Sequence, residues 1–205
     1  MVTAKLMLAG IDPFLAALIG GVLVGGALGA INGCLVNWTG LHPFSITLGT
    51  NAIFRGITLV ISDANSVYGF SFDFVNFFAA SVIGIPVPVI FSLIVALILW
   101  FLTTRMRLGA DIYALGGNKN SAFYSGIDVK FHILVVFIIS GVCAGLAGVV
   151  STARLGAAEP LAGMGFETYA IASAIIATLM PKNILADMRL RIKAPRKQPA
   201  VRKIK

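Results

Sequence analysis

Apolar residues in this chain come in long uncharged runs, without the two-residue or 3.6-residue alternation of a half-buried strand or surface helix. Phe14–Val36, Ile85–Thr104 and Phe131–Ser151 are such runs, and Phe44–Ser62 is another, broken by a single charge, Arg55. Each is long enough to cross a hydrocarbon core of roughly 30 Å. Backbone amides in lipid have no water to bond, so helices are expected throughout and the fold class is an all-α, polytopic transmembrane helical bundle. A further piece, Phe166–Met180, stops at Pro181 and is short for a crossing unless it re-enters or has lost its remainder; as a fifth crossing it would put the N-terminus outside and the basic tail inside. Residues 63–84 carry Phe70, Phe72, Phe74, Phe77 and Phe78 between polar positions, which suits an interfacial or re-entrant segment better than a span.

Glycines inside these runs carry a second pattern. Gly21, Gly25, Gly29 and Gly33 recur every fourth residue, as do Gly141 and Gly145, with Ala144 and Gly148 at the same spacing. On a helix this spacing makes a smooth stripe where another backbone can come close, so these positions are expected to pack helix on helix. Arg55 fits two readings, a group facing a water-filled path or a long side chain reaching for nearby carbonyls. His42, held extended by Pro43, reads as an idle interfacial loop residue rather than a proton site, and the lone His132 as a structural residue near an interface. Cys34 and Cys143 lie inside apolar runs and read as small core residues rather than a disulfide or metal pair.

Charge changes the picture in one respect. The net charge of +8 resembles the signature of a nucleic-acid binder, but its distribution argues against that. Before residue 181 there are seven basic and seven acidic residues; after it there are nine basic residues and one acid, Asp187. Residues 1–180 are therefore expected to form a membrane domain, and residues 181–205 a basic cytoplasmic tail without a stable fold. No nucleic-acid partner is expected. Among the loops, 63–84 has no lysine or arginine, whereas 103–130 has Arg105, Arg107, Lys119 and Lys130. The positive-inside rule then puts 63–84 outside and 103–130 in the cytoplasm.

That basic loop, TTRMRLGADIYALGGNKNSAFYSGIDVK, is the most informative stretch. Gly116-Gly117-Asn118 is expected to break any helix, and the following residues to form about two helical turns ending near Gly126. A short helix exposing Phe123 and Tyr124 suits insertion into a cleft on a partner. No Walker A, GxSxG or paired-histidine pattern is present, so neither an enzyme, a cofactor nor a metal is expected.

Three stretches, LHPFSITLGTNAIFRGITLV, IYALGGNKNSAFYSGIDV and STARLGAAEPLAGMGFETYAIASAII, resemble the membrane permease subunits of bacterial ABC importers for monosaccharides, nearest the ribose- and allose-type branch. The resemblance covers residues 1–176 and implies a multi-pass protein of the bacterial inner membrane that works by alternating access. It implies a cytoplasmic ABC ATPase that hydrolyses ATP as a separate subunit, a periplasmic sugar-binding protein and a second permease copy in a homodimer. It makes Gly116, Gly117, Asn118, Ser121, Ala122, Ser125, Gly126 and Ile127 the element that couples to the ATPase. Asn32, Thr47, Thr50, Asn51 and Arg55 are candidates for a polar translocation path.

The chain departs from the family at several places. It lacks the earlier membrane helices, has Ala110-Asp111 where a basic residue is common, and has Tyr169 where an acid is common. After Ile176 the resemblance stops, and the basic, proline-containing sequence that follows is expected to reflect a truncated or frame-shifted reading. Two alternatives accompany the importer reading: a fragment that does not transport, and a membrane-anchored module that binds anionic lipid through its tail.

Overall fold

A computed structural model of the chain describes residues 1–70, 72–82 and 84–179. It falls into two compact units, Met1–Ala162 and one that begins at Gly163. The expected basic tail lies outside the described residues. Among its described residues the first unit has helices joined by turns, one tiny hairpin and a lone bridge.

After a short helix α1 (Val2–Leu8), Asp12 starts the first long helix: its carboxylate accepts from the N–H groups of Phe14 (2.9 Å) and Leu15 (3.3 Å), and Pro13 fills the first helical position. From there α2 (Pro13–Leu18), a π-helical stretch (Ile19–Val24) and α3 (Gly25–Thr39) run on as one span, Pro13–Thr39. Gly40, at φ 65°, closes it in the left-handed conformation that glycine takes without strain. His42 then caps α4 (Pro43–Ile61), its Nδ1 accepting from Phe44 N–H at 3.3 Å. The histidine is thus a helix cap rather than an idle loop residue.

The expected connection at 63–84 is a short helix, α5 (Phe72–Ala79), followed by β1 (Ser81–Val82) and β2 (Ile85–Pro86), which pair antiparallel. Pairing takes Ile85 and Pro86 out of the expected third run, so α6 starts at Val87 and ends at Arg105. Eight residues of α5 cannot cross a bilayer. Instead Phe74 and Phe78 bury themselves against Val149 and Ala153 of α9 (Val129–Leu155), with Phe14 edge-on to Phe74 and Phe77. Helix α9 runs past the expected Phe131–Ser151 at both ends, from an Asp128 cap to Gly156. Four described helices are therefore long and apolar enough to span: Pro13–Thr39, Pro43–Ile61, Val87–Arg105 and Val129–Leu155.

The centre of this unit is the contact between α3 with its π-helical lead-in and α9, and glycine makes it possible. A Cβ at Gly25 would stand 2.5 Å from the carbonyl oxygen of Gly141. One at Gly29 would collide with the Phe137 carbonyl, one at Gly141 with the Gly25 carbonyl, and one at Gly145 with the Gly21 carbonyl. Gly33 approaches Leu134, whose Cδ1 would be 3.0 Å from an added Cβ. Two backbones thus meet with no side chain between them, as the every-fourth spacing predicts. Gly148 does not join in: nothing lies within 4 Å of the position its Cβ would take. Cys34, expected in the core, is exposed on α3.

Other faces are apolar and uncovered. No residue of α6 is buried, and Leu93, Leu97, Ile98 and Phe101 are all more than half exposed. A helix apolar on every side needs an apolar surrounding, which lipid or further helices supply. The loops sort to two ends. Val67 and Ala158 exchange both backbone hydrogen bonds at 2.9 Å, joining the α4–α5 connection to the segment after α9. At the other end Asn37 Nδ2 donates to Lys130 O at 2.8 Å, joining the end of α3 to the start of α9.

In the second unit α10 (Phe166–Leu179) is an apolar helix of 14 residues, about 21 Å long and short of a full crossing.

These contacts predict opposite outcomes for two glycines of α9. Gly145→Val is expected to cost at least about 3 kcal/mol, because backbone cannot yield as a side chain can, and to abolish a folded, monodisperse chain in detergent. Gly148→Ala is expected to raise thermal stability, by up to about 1 kcal/mol from helix propensity. Size-exclusion and melting profiles of both variants provide the check.

Candidate coupling element and membrane path

The loop between α6 and α9 holds two helices. Backbone at Met106 turns extended (φ −102°, ψ 150°) to end α6, and α7 (Arg107–Gly117) follows at once. Gly109 lies so close to the Thr103 carbonyl that any side chain there would collide with it. The expected break at Gly116-Gly117-Asn118 falls on its last residue. Both glycines are the final turn of α7, and Asn118 (φ −156°, ψ 108°) ends it.

Asn118 also begins the next element, α8 (Lys119–Tyr124). Its Oδ1 accepts from the N–H groups of Asn120 (3.0 Å) and Ser121 (3.1 Å), satisfying two donors of a free helix start. At the far end Gly126, at φ 84°, donates its N–H to Phe123 O at 3.0 Å while Ile127 N–H reaches Ala122 O at 3.1 Å. This 6→1 and 5→2 pair is a Schellman closure. Ser125 Oγ adds a bond to Ser121 O at 2.9 Å. Asn118, Ser121, Ala122, Ser125, Gly126 and Ile127 are therefore all part of one short capped helix. It buries Ala122 and presents Phe123 and Tyr124, 66% and 87% exposed, with rings 5.9 Å apart.

Asp128 follows immediately and caps α9, accepting from Lys130 and Phe131 N–H at 3.1 Å each. Between α8, the start of α9 and the α3–α4 turn lies a groove of about 650 Å³, bordered by Asn37, Leu41, Lys119, Phe123, Ile127 and Lys130. Helix α7 is fastened to the same place. His132 Nε2 stands 3.3 Å from Asp111 Oδ2, and its Nδ1 is 2.7 Å from Asp128 O. His132 is 7% exposed, so its expected structural role takes the form of a bridge between two elements. Asp128 could have been read from sequence as a cap before an apolar run. The Asp111–His132 and Asn37–Lys130 pairs could not, because they join residues far apart in the chain.

The candidate path residues divide. Asn32 and Thr47 border a cavity of about 430 Å³ along the α3–α9 seam, together with Phe54, Phe137 and Ser140. Asn32 Oδ1 is buried there without a hydrogen-bond partner, which marks a site for a donor such as water. Thr50 is buried, with its hydroxyl donated to Thr47 O at 3.2 Å. Asn51 and Arg55 are half-exposed on α4 and do not border that cavity, and Arg55 forms no ion pair among the described residues. Ser140 was not legible as a candidate, since one serine in a membrane run carries no signal of its own.

The family model described as the branched-chain amino acid transport system / permease component matches residues 1–186. The chain belongs to this permease family. It is 97% identical over 176 residues to the D-allose transport system permease protein of Escherichia coli K12, covering 86% of this chain and 54% of that one. It is 37% identical over 175 residues to the ribose import permease protein of Bacillus subtilis, covering 84% and 54%. An autoinducer 2 import system permease protein of Salmonella paratyphi B is 32% identical over 170 residues, covering 80% and 51%. The chain thus spans about half the length of the curated relatives it matches. No solved structure matches it. Membership accords with the four helices long and apolar enough to cross a membrane.

The double capping of α8 predicts that Asn118→Ala loosens this helix by about 1 kcal/mol. Amide exchange at residues 119–124 should accelerate several-fold, with the α3–α9 seam unchanged.

Proposed function

We propose that this chain is the membrane-embedded permease part of an ATP-driven monosaccharide importer of the bacterial inner membrane, carrying a ribose- or allose-like sugar inward by alternating access. The partners in this reading are a cytoplasmic ABC ATPase as a separate subunit, a periplasmic sugar-binding protein and a second permease copy. Names of the relatives supply the sugar class: D-allose and ribose transport.

The observation that carries the coupling reading is the construction of α7 and α8. Gly116 and Gly117 are helical and have open space where a Cβ would go, so the chain's own fold does not require glycine at either. Bare backbone beside the exposed Phe123 and Tyr124 is what a partner's cleft would need for close approach. Both caps hold this surface rigid, so force applied to α8 passes into α9 rather than dissipating in a floppy loop. Asp128 and the Lys130–Asn37 bond then lead from α8 to the α3–α9 seam, where smooth backbone faces allow sliding between arrangements. Asn32, Thr47 and Ser140 give that seam its polar lining, and sugar hydroxyls or water can satisfy Asn32 Oδ1.

Two experiments test this. Gly117→Val should leave the chain's melting temperature within about a degree, because the site is open, yet sharply reduce capture of the ATPase from membranes. Unaltered capture would remove the coupling role. For the path, Ser140→Cys in a Cys34→Ser/Cys143→Ser background should react with a membrane-impermeant thiol reagent, whereas Ile94→Cys on the bare face of α6 should not. Equal reactivity would show that the cavity is not a wet route.

A further inference from the structure

We propose that Asp111 and His132 act as a positioning pair that sets the pose of α7, and with it the glycine-bearing end next to α8, on membrane helix α9. The proposal takes its purpose from the coupling reading above.

Helix α7 packs on α6, α8 and α9 with Leu108, Ile112 and Leu115 half-buried, and its ends are weakly fixed. It begins at an extended residue, Met106, without a side-chain cap, and ends at two glycines whose surroundings are open. Its exposed face includes Tyr113, 69% exposed. Backbone contact at Gly109 pins only its first turn, against Thr103 of α6. Asp111 stands within ion-pair distance of a histidine on a different helix, the one such contact among the described residues.

Ring geometry makes this pair directional. Nδ1 of His132 is 2.7 Å from the Asp128 carbonyl and Nε2 is 3.3 Å from the Asp111 carboxylate. Both neighbours are acceptors: Nδ1 is at hydrogen-bond distance from the Asp128 carbonyl, and Nε2 faces the Asp111 carboxylate. Asp128 O also accepts the His132 backbone N–H at 3.2 Å, and the Asp128 carboxylate is occupied by the N–H groups of Lys130 and Phe131. The imidazole cannot swing without losing its contact with the Asp128 carbonyl, so its Nε2 is a held point on which α7 is hung. A histidine 7% exposed at the root of a membrane helix is better placed for this than a flexible lysine.

Amide hydrogen exchange on the chain in lipid nanodiscs tests the pair without any partner present. Its failure therefore leaves the coupling reading standing, and loss of ATPase capture leaves the pair standing. In Asp111→Ala, amides of residues 107–117 should exchange roughly two- to five-fold faster, the range expected of a part-exposed ion pair, while 119–124 keep their caps and their rates. Asp111→Ala/His132→Ala should be no faster over 107–117 than His132→Ala alone. His132→Gln, whose amide nitrogen reaches about where Nε2 stands, should restore α7 while the first turn of α9 remains faster, a separation that general destabilisation would not give. Unchanged α7 rates in Asp111→Ala, rate increases that multiply in the double variant, or His132→Gln rates over α7 equal to those of His132→Ala would each overturn the proposal.

Discussion

The rest of this structure depends on two helices touching through their backbones. Gly21, Gly25, Gly29 and Gly33 face Phe137, Gly141 and Gly145, and the carbonyl of one helix sits where the other's side chains would be. In lipid there is no hydrophobic gain from bringing apolar helices together, so association rests on van der Waals fit and on what approaches closely. That constraint explains why glycine, costly in a soluble helix, is spent here along one stripe and is absent from contact at Gly148. The seam also fixes the position of everything attached to its ends, the short aromatic helix α5 on one side and α7–α8 on the other.

Polar groups do their work at those ends. Asp12, His42, Asn118 and Asp128 each start a helix by accepting backbone N–H bonds, so the spans begin at defined residues. The chain of connections from α8 through Asp128 and Lys130 to Asn37 is made of short, directional hydrogen bonds. Such links move as units. A transporter that converts a push on its cytoplasmic face into rearrangement inside the membrane needs that stiffness near the push and a smooth interface farther in.

Much of this could be read before any coordinates. Run length and lack of charge gave the four long runs as helices, because uncharged runs of about 20 residues suit a helical crossing and exceed a barrel strand; the every-fourth glycines gave the packing face, because helix periodicity puts them on one side. The short helix after Gly117 was legible because Asn118 and Gly126 are cap types at cap spacing, whereas its coupling role came only from the family resemblance. What failed to show was whatever depends on which segments meet. Ile85 and Pro86 look like the start of a helix until Ser81 and Val82 pair with them, and Cys34 looks buried until the neighbour on its side of α3 is known. Arg55 and Asn51 were grouped with Asn32 by polarity alone, and only the placement of α4 separates them.

The central claim is that α8 is the face through which a cytoplasmic ATPase reaches this membrane unit. A photo-cross-linking side chain placed at Phe123, in cells that express the ATPase, tests it most directly, with the same group at Tyr68 on the opposite end as comparison. The account predicts an ATPase adduct from position 123 and none from 68. An adduct from 68 with none from 123 would contradict it, and would reverse the sidedness drawn from the basic loop.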